Sequence, residues 1–476
     1  MVLLTRHLRC FANKTVPTLV PLLEKALGPG VVSIKKAIRD HHGHDESFHR
    51  NLIPDAVVTA TSVEQVSTTL RLCNEHRVPV IPFGTGTGFE GGVTAPWGGV
   101  SVDVTPMDEI VEVNVSDFDC TVQPGVTRAY LNDYIHDTGL WFPVDPGAAP
   151  SLCGMCATSA SGTNAVRYGT MRENVINLQV VLADGTVFHT NGEGRRTKKT
   201  SAGYNLTNFF VGSEGTLGVI TRATLRLYPV PEKVASAVCP FDSIHAAIDS
   251  AVQVLQCSVP VARIEYLDDR QIAACNKYSN LDLQETSTLF LEFHGSETEV
   301  AAQADFVGEI CAAGGGGEFR WSHLPEERKV LWKARHDCWY ATLALTPGKT
   351  AYSTDIVVPI SKLADVIEGA KKDIDSSTLT GTVLGHVGDG NFHCFITVNE
   401  KDPEELKELD RLSECIVRRA LANQGTCTGE HGVGLGKRRF LADELGEETV
   451  GVMRRLKKAL DPNGIMNPDK VLFVDK

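Results

Sequence analysis

Three glycine-rich segments constrain this chain more than any other feature. The first is Phe83-Gly-Thr-Gly-Thr-Gly88, which continues to Gly92 and follows Val78-Pro-Val-Ile-Pro82. The second occupies Ser151-Leu-Cys-Gly154 and Thr158-Ser-Ala-Ser-Gly-Thr163, and the third is Gly212-Ser-Glu-Gly-Thr-Leu-Gly218. Glycine lets a backbone come close to a ligand. Successive N–H groups in such a loop can also cradle a phosphate. No Lys follows the first segment, so it is not a P-loop, and its GxGxG spacing is a weak dinucleotide fingerprint. Alone it would serve equally as a tight structural turn. Three such loops, rich in hydroxyls, suit one extended dinucleotide with a flat ring system.

A second constellation is His386-Val-Gly-Asp-Gly-Asn-Phe-His393, followed later by Glu430-His431. Asp389-Gly390, between Thr382-Val-Leu384 and Phe395-Ile-Thr-Val398, is a hairpin signal. A two-residue turn there sets position 386 opposite 393, with both imidazoles on one face and Cβ atoms about 5 Å apart. A carboxylate from Glu430 would complete a His-His-Glu set for a divalent metal with an open position. The competing reading is a pair of hydrogen-bonded histidines beside a turn.

At 476 residues the chain calls for two or three subdomains. Its net charge of −13 argues against nucleic acid as a partner. No run of eighteen apolar residues exists, so no membrane span is expected. Thirteen scattered cysteines, an odd number, suit a reducing compartment. Cys153-Gly-Met-Cys156 is a redox pair or a coincidence of spacing. Arg6, Arg9 and Lys14 precede the first acidic residue, Glu24, which gives residues 1–25 the character of a mitochondrial presequence or of a basic first helix. A strand is expected from Pro54, a helix capped by Ser62, and a hairpin at Asp184-Gly185. Tyr228-Pro-Val-Pro-Glu232 reads as a domain boundary. Beyond it a single helix is expected over 323–345, a strand over 354–358 and a helix over 403–424. The tail after Gly425 is expected to fold back on the first domain.

In this order, Pro82 to Gly88, Pro146-Gly147, Ser151, Gly154, Ala157-Thr-Ser-Ala-Ser-Gly162, Arg167-Tyr-Gly169, Leu182-Ala-Asp-Gly185 and Gly212 to Ile220 resemble the FAD domain of the vanillyl-alcohol oxidase family. Gly385 to His393, Gly429-Glu-His-Gly-Val-Gly434 and Asp461-Pro-Asn-Gly-Ile-Met-Asn-Pro468 resemble its D-2-hydroxyacid dehydrogenase branch. The likeness implies an α+β fold with a two-subdomain FAD-binding domain over 45–230. A cap domain over 231–425, with a mainly antiparallel sheet and flanking helices, binds substrate, and a segment over 426–476 returns to the FAD domain. It implies FAD held by Pro82, Gly84, Thr85, Gly86, Thr87, Gly88, Pro146, Ser151, Gly154, Ser161, Gly162, Gly215 and Ile220, with Asn467 near the flavin. The FAD is expected to be non-covalent, because no His lies between Val80 and Val93.

The same likeness assigns His386, His393 and Glu430 to one divalent metal, Zn or Mn foremost, and makes His431 the catalytic base. Oxidation of a 2-hydroxy acid removes a hydroxyl proton, here to His431, and a hydride, here to flavin N5. The expected substrate is D-lactate or another small or apolar D-2-hydroxy acid. Electrons then pass to a protein acceptor such as cytochrome c or an electron-transfer flavoprotein, in the mitochondrion. Arg335 is the candidate for the substrate carboxylate, since a guanidinium binds it bidentately; a surface salt bridge is the other reading. Trp339 and Asn391 are the other substrate-binding candidates, although Trp332 and Trp339 also suit core positions. Relatives acting on D-2-hydroxyglutarate carry Lys where this chain has Ser353, which points to a monocarboxylate. D-2-hydroxyglutarate or glycolate oxidation is the same-fold alternative. A metallohydrolase is the alternative of another class, though it has no use for three dinucleotide loops. Arg195-Arg-Thr-Lys-Lys199 is a solvated loop or a dock for an acidic electron carrier.

Overall fold

The computed structural model describes residues 4–474, with side chains from Val16 onward. Two compact units divide the chain. The first holds the residues up to Ala160, Thr170–Pro229 and those from Glu430; the second holds Ser161–Gly169 and Val230–Gly429. The break at Pro229 falls within the proline-rich boundary read from the sequence. The excursion of Ser161–Gly169 into the second unit was not anticipated, and the later break falls at Glu430 rather than 426.

In the first unit, one sheet runs Val32–Ser33, Ala56–Thr59, Val100–Asp103, Val80–Phe83, and its last three strands are parallel. Parallel strands need covering helices, and Val63–His76 provides one. Its Val66, Leu70 and Cys73 recur at helical spacing and are fully buried. Burying Leu70 alone contributes roughly 1.5–3 kcal/mol. Ser62 caps the helix by accepting the N–H of Gln65, and Arg77 ends it in the left-handed region. Val16, Leu19, Leu23 and Leu27, from the helix Leu4–Leu27, join the same core as Val58, Val80 and Val102. A leader ending at residue 25 would remove three of these core side chains. Residues 1–3 lie outside the described residues.

The second sheet of this unit is antiparallel: Ile110–Asn114, Asp119–Val122, Val219–Arg226, Val175–Val181, Val187–His189. Asp184-Gly185 turns its last hairpin, with the Asp184 carboxylate accepting the N–H of Thr186. Two sheets and two core clusters, one of which also takes in Val181 and Val219 of the second sheet, give the two-subdomain form expected of the FAD-binding domain.

The second unit is an antiparallel sheet with flanking helices. Its order is Arg320–Ser322, Lys233–Phe241, Ser287–Gly295, Val261–Leu267, Thr380–Gly385, Asn391–Val398, Thr350–Ser353, with Ile356–Val357 also paired to Asn391–Val398. The strand expected over 354–358 is thus shorter, and 354–355 separate two strands. The helix expected over 323–345 is two helices, Pro325–His336 and Cys338–Leu345, interrupted at Asp337. Ser161–Gly169 is held in this unit by its own side chains. Arg167 donates to the carbonyls of Pro260 and His294, Tyr168 hydroxyl meets His294 Nδ1, and Asn164 accepts from Arg263.

The hairpin at His386 differs from expectation in register. Leu384 lies opposite His393, and residues 386–390 form the turn, with the N–H groups of Asp389 and Asn391 both donating to the His386 carbonyl. The shift is two positions, and an even shift leaves each side chain on its original face. Among the described residues no helix is long and apolar enough to cross a membrane.

Candidate active site

In the first unit the glycine-rich loops converge on one cavity. Pro82, Gly84, Thr85, Gly86, Thr87, Gly88, Pro146, Ser151, Gly154, Gly215, Ile220 and Asn467 all line it, together with Glu430 and His431. Ser161 and Gly162, expected beside them, do not line it; they begin the excursion into the second unit. At three of these glycines a side chain has no room. A Cβ at Gly84 or at Gly154 would stand 2.9 Å from Ser151 Oγ, and one at Gly215, where φ is +71°, would stand 2.8 Å from Pro82 Cγ. Ser151 Oγ is itself buried with no hydrogen-bond partner among the described residues, as expected where a ligand supplies one. A narrow cradle of small residues, hydroxyls and backbone fits a dinucleotide.

One end of the cavity is braced by carboxylates. Glu214 accepts the N–H of Val433 (2.7 Å) and of Gly434 (2.8 Å), pinning the turn that follows His431. Burial raises its pKa to about 7. Asn467 donates to the carbonyls of Glu214 and Gly92, which fixes its amide at the wall. Behind it Lys470 donates to the Thr94 carbonyl, and burial lowers its pKa to about 7. Asp45, another wall residue, is also raised by burial. His431 is stacked on Phe89, with ring centroids 4.9 Å apart and planes 29° apart. Its ring plane is therefore set by an aromatic wall of the same cavity. Cys153 and Cys156 are free thiols pushed far up by burial, so the CxxC does not read as a redox pair.

In the second unit His386 and His393 face each other edge to face, with ring centroids 5.5 Å apart. Each uses Nδ1 for an oxygen acceptor: His386 donates to Glu265 Oε1 at 2.7 Å and His393 to the Thr354 carbonyl at 3.1 Å. Such bonds fix the tautomer and turn Nε2 the other way, which is how a metal-ligating histidine is prepared. Both rings are buried, and the pair fits a divalent ion as two of its ligands. Next to them Asp355 is fully buried. It accepts from Asn391 Nδ2 (2.9 Å), Thr428 Oγ1 (3.0 Å) and the N–H of Gly429 (2.7 Å), the residue before Glu430. Asn391 Oδ1 is buried without a hydrogen-bond partner among the described residues.

Arg335 is neither a surface salt bridge nor an isolated cation. It is 7% exposed, and its Nε and Nη2 lie 2.8 and 2.6 Å from Glu265 Oε2. Trp332 is core, donating Nε1–H to Ser236 Oγ, whereas Trp339 meets Phe395 edge-on at 5.1 Å. The break at Asp337 places Trp332 and Trp339 on separate helices. In the basic run, Arg196 is paired with Asp119 and Asp117, so part of that run holds its own loop.

Sequence reading passed over Glu214, Glu265 and Asp355. Glu265 had a signal: it is the acid in Val261-Ala-Arg-Ile-Glu-Tyr-Leu267, a run otherwise fit for a buried strand. A charge at such a position is rarely kept without partners.

Residues 54–191 match the family model described as FAD binding domain, and residues 230–471 match FAD linked oxidases, C-terminal domain. The chain belongs to the FAD-linked oxidases of the vanillyl-alcohol oxidase type. Within them it is similar to the probable mitochondrial D-lactate dehydrogenase of Danio rerio, 57% identical over 98% of this chain and 94% of the relative. It is also similar to the mitochondrial D-lactate dehydrogenase (cytochrome) of Arabidopsis thaliana, 45% identical over 91% of this chain and 76% of that one. Among solved structures, 4-ethylphenol oxidase from Gulosibacter chungangensis superposes with a TM-score of 0.81 at 18% identity, covering 97% of this chain and 98% of that one. That likeness speaks to the fold alone.

Proposed function

We propose that this chain is a mitochondrial, FAD-dependent dehydrogenase that oxidises D-lactate and other small or apolar D-2-hydroxy acids to 2-oxo acids. The carrying observation is that His431 lines the same cavity as the three glycine-rich loops. The full-length similarity to enzymes named as mitochondrial D-lactate dehydrogenases supports substrate and location together. The word cytochrome in one of those names favours cytochrome c over an electron-transfer flavoprotein as acceptor.

FAD supplies the hydride acceptor, and a divalent metal would act as a Lewis acid on the substrate hydroxyl. Pro82, the 84–88 loop, Pro146, Ser151, Gly154, Gly215, Ile220 and Asn467 hold the dinucleotide without a covalent bond. His386 and His393 serve as metal ligands through Nε2. Glu430 serves as the third, a role favoured by its place directly after Gly429, which Asp355 anchors by hydrogen bond. Zn and Mn are the foremost ions for two imidazoles and a carboxylate. His431 accepts the hydroxyl proton at a ring nitrogen, its plane set by Phe89. Arg335 orients the substrate carboxylate, Asn391 offers Oδ1 as an acceptor, and Trp339 limits the side chain.

Steady-state kcat/KM for D-lactate, longer D-2-hydroxy acids, glycolate and D-2-hydroxyglutarate tests the reading. D-lactate and its apolar homologues should lead, because Ser353 offers no cation to a second carboxylate. A clear preference for the diacid would overturn the substrate assignment. A colourless protein that consumed substrate would favour a metallohydrolase instead.

A further inference from the structure

We propose that Glu265 is a positioning residue that sets two functional side chains with one carboxylate, orienting His386 for metal and Arg335 for the substrate carboxylate. The inference deepens the proposed function and rests on its reading of those two residues. Glu265 lies on the strand Val261–Leu267 and is completely buried. Its Oε1 receives His386 Nδ1–H at 2.7 Å, while Oε2 receives Arg335 Nε–H at 2.8 Å and Nη2–H at 2.6 Å. The partners come from distant places in the chain, a turn at 386 and the helix Pro325–His336. The Arg335 guanidinium can only donate, so Oε2 serves it as an acceptor, which leaves Oε1 as the acceptor facing His386 Nδ1.

Two consequences follow from this bond set. Because the carboxylate only accepts, the proton of neutral His386 sits on Nδ1 and the lone pair on Nε2, which is the tautomer a metal needs. The same charge neutralises Arg335 in the interior and fixes the plane of its guanidinium, so the group meets a substrate carboxylate in one orientation. Metal site and carboxylate site are thereby held in register by a residue that touches neither ligand.

The test uses FAD-loaded protein stripped of metal by a chelator, then titrated with Zn2+ and with Mn2+ against a competing chelator. Glu265→Gln replaces one acceptor by a donor, so the amide can serve only one of its two partners. Metal affinity should fall about 10- to 100-fold at unchanged FAD content. Saturating metal should then restore kcat toward wild type while KM for D-lactate stays several-fold raised, because Arg335 remains poorly aimed. A residue of purely structural importance would not divide kcat from KM in this way. Wild-type metal affinity together with wild-type KM in Glu265→Gln would overturn the proposal. If that variant does not accumulate folded, Glu265→Asp keeps the charge but is one methylene too short for both partners. It must then show the same metal loss at full FAD content, and wild-type behaviour would again overturn the proposal. His386→Ala separates the possible failures. Unchanged metal affinity in His386→Ala would defeat the ligand reading itself and the metal half of the proposal with it. Lost metal in His386→Ala with wild-type behaviour in Glu265→Gln would defeat only the role of Glu265.

Discussion

Replacing Gly215 by Ala is the sharpest structural test of the flavin cradle. At φ +71° an L-residue pays roughly 1–2 kcal/mol in backbone strain. The new methyl would also stand 2.8 Å from Pro82 Cγ and 3.1 Å from Pro82 Cδ, a contact that displaces one of two cavity walls. Overpacking of that kind costs roughly 1–3 kcal/mol. In the empty protein the two loops can relax apart; with FAD bound both must return to the ligand. Much of the penalty therefore falls on binding. A loss of at least about 2 kcal/mol corresponds to roughly a 30-fold weaker Kd. Titrating FAD into stripped protein and following flavin fluorescence measures it. Gly139→Ala is the control, since φ is +73° but nothing lies within 4 Å of the added Cβ. It should cost about 1 kcal/mol of stability and leave FAD affinity unchanged. A Gly215→Ala protein that binds FAD within threefold of wild type would refute the reasoning.

Glu214 makes stability depend on pH. Its folded pKa of about 7 exceeds its ordinary 4.5, so the folded state holds the proton more tightly. Stability is therefore highest below about pH 4.5 for this group and declines as pH rises to about 7, by roughly 3 kcal/mol in all. Glu214→Gln should flatten the fall in Tm between pH 5 and 7.5, and an unchanged slope would count against the assignment. Ser62→Ala removes the acceptor for the Gln65 N–H and should lower stability by about 1 kcal/mol in denaturant unfolding; no change would mean the cap is idle. Asp355→Asn removes a buried acceptor shared by Asn391, Thr428 and Gly429, at a cost of roughly 1–3 kcal/mol. Its Tm should drop with FAD still bound, and a wild-type Tm would show that the three donors find other partners.

Local chemistry made much of this architecture readable. Ser62 and the Asp184-Gly185 turn act through their own neighbours, and each does what its residue type dictates. The glycine loops were legible for the same reason: a position that admits no Cβ must be glycine wherever the chain goes. The His386 hairpin was legible in face but not in register, because two-residue periodicity fixes the face while the turn absorbs an even slip. Long-range choices were hidden. Ser161 and Gly162 follow the cradle in sequence, yet Asn164, Arg167 and Tyr168 find their partners at Arg263, Pro260 and His294, which no local pattern announces. The break at Asp337 and the pairing of Arg335 with Glu265 are of the same kind, since both depend on residues seventy or more positions away or on packing around the helix.

The central claim is that His431 takes the substrate proton while other residues hold FAD and metal. Rapid anaerobic mixing with D-lactate, following the bleaching of the flavin band in wild type and in His431→Gln, addresses it directly. The variant should retain FAD and metal at wild-type stoichiometry and reduce its flavin about 10²- to 10⁴-fold more slowly, the usual contribution of a general base. Flavin reduction within threefold of wild type, or loss of the metal from His431→Gln, would contradict the account.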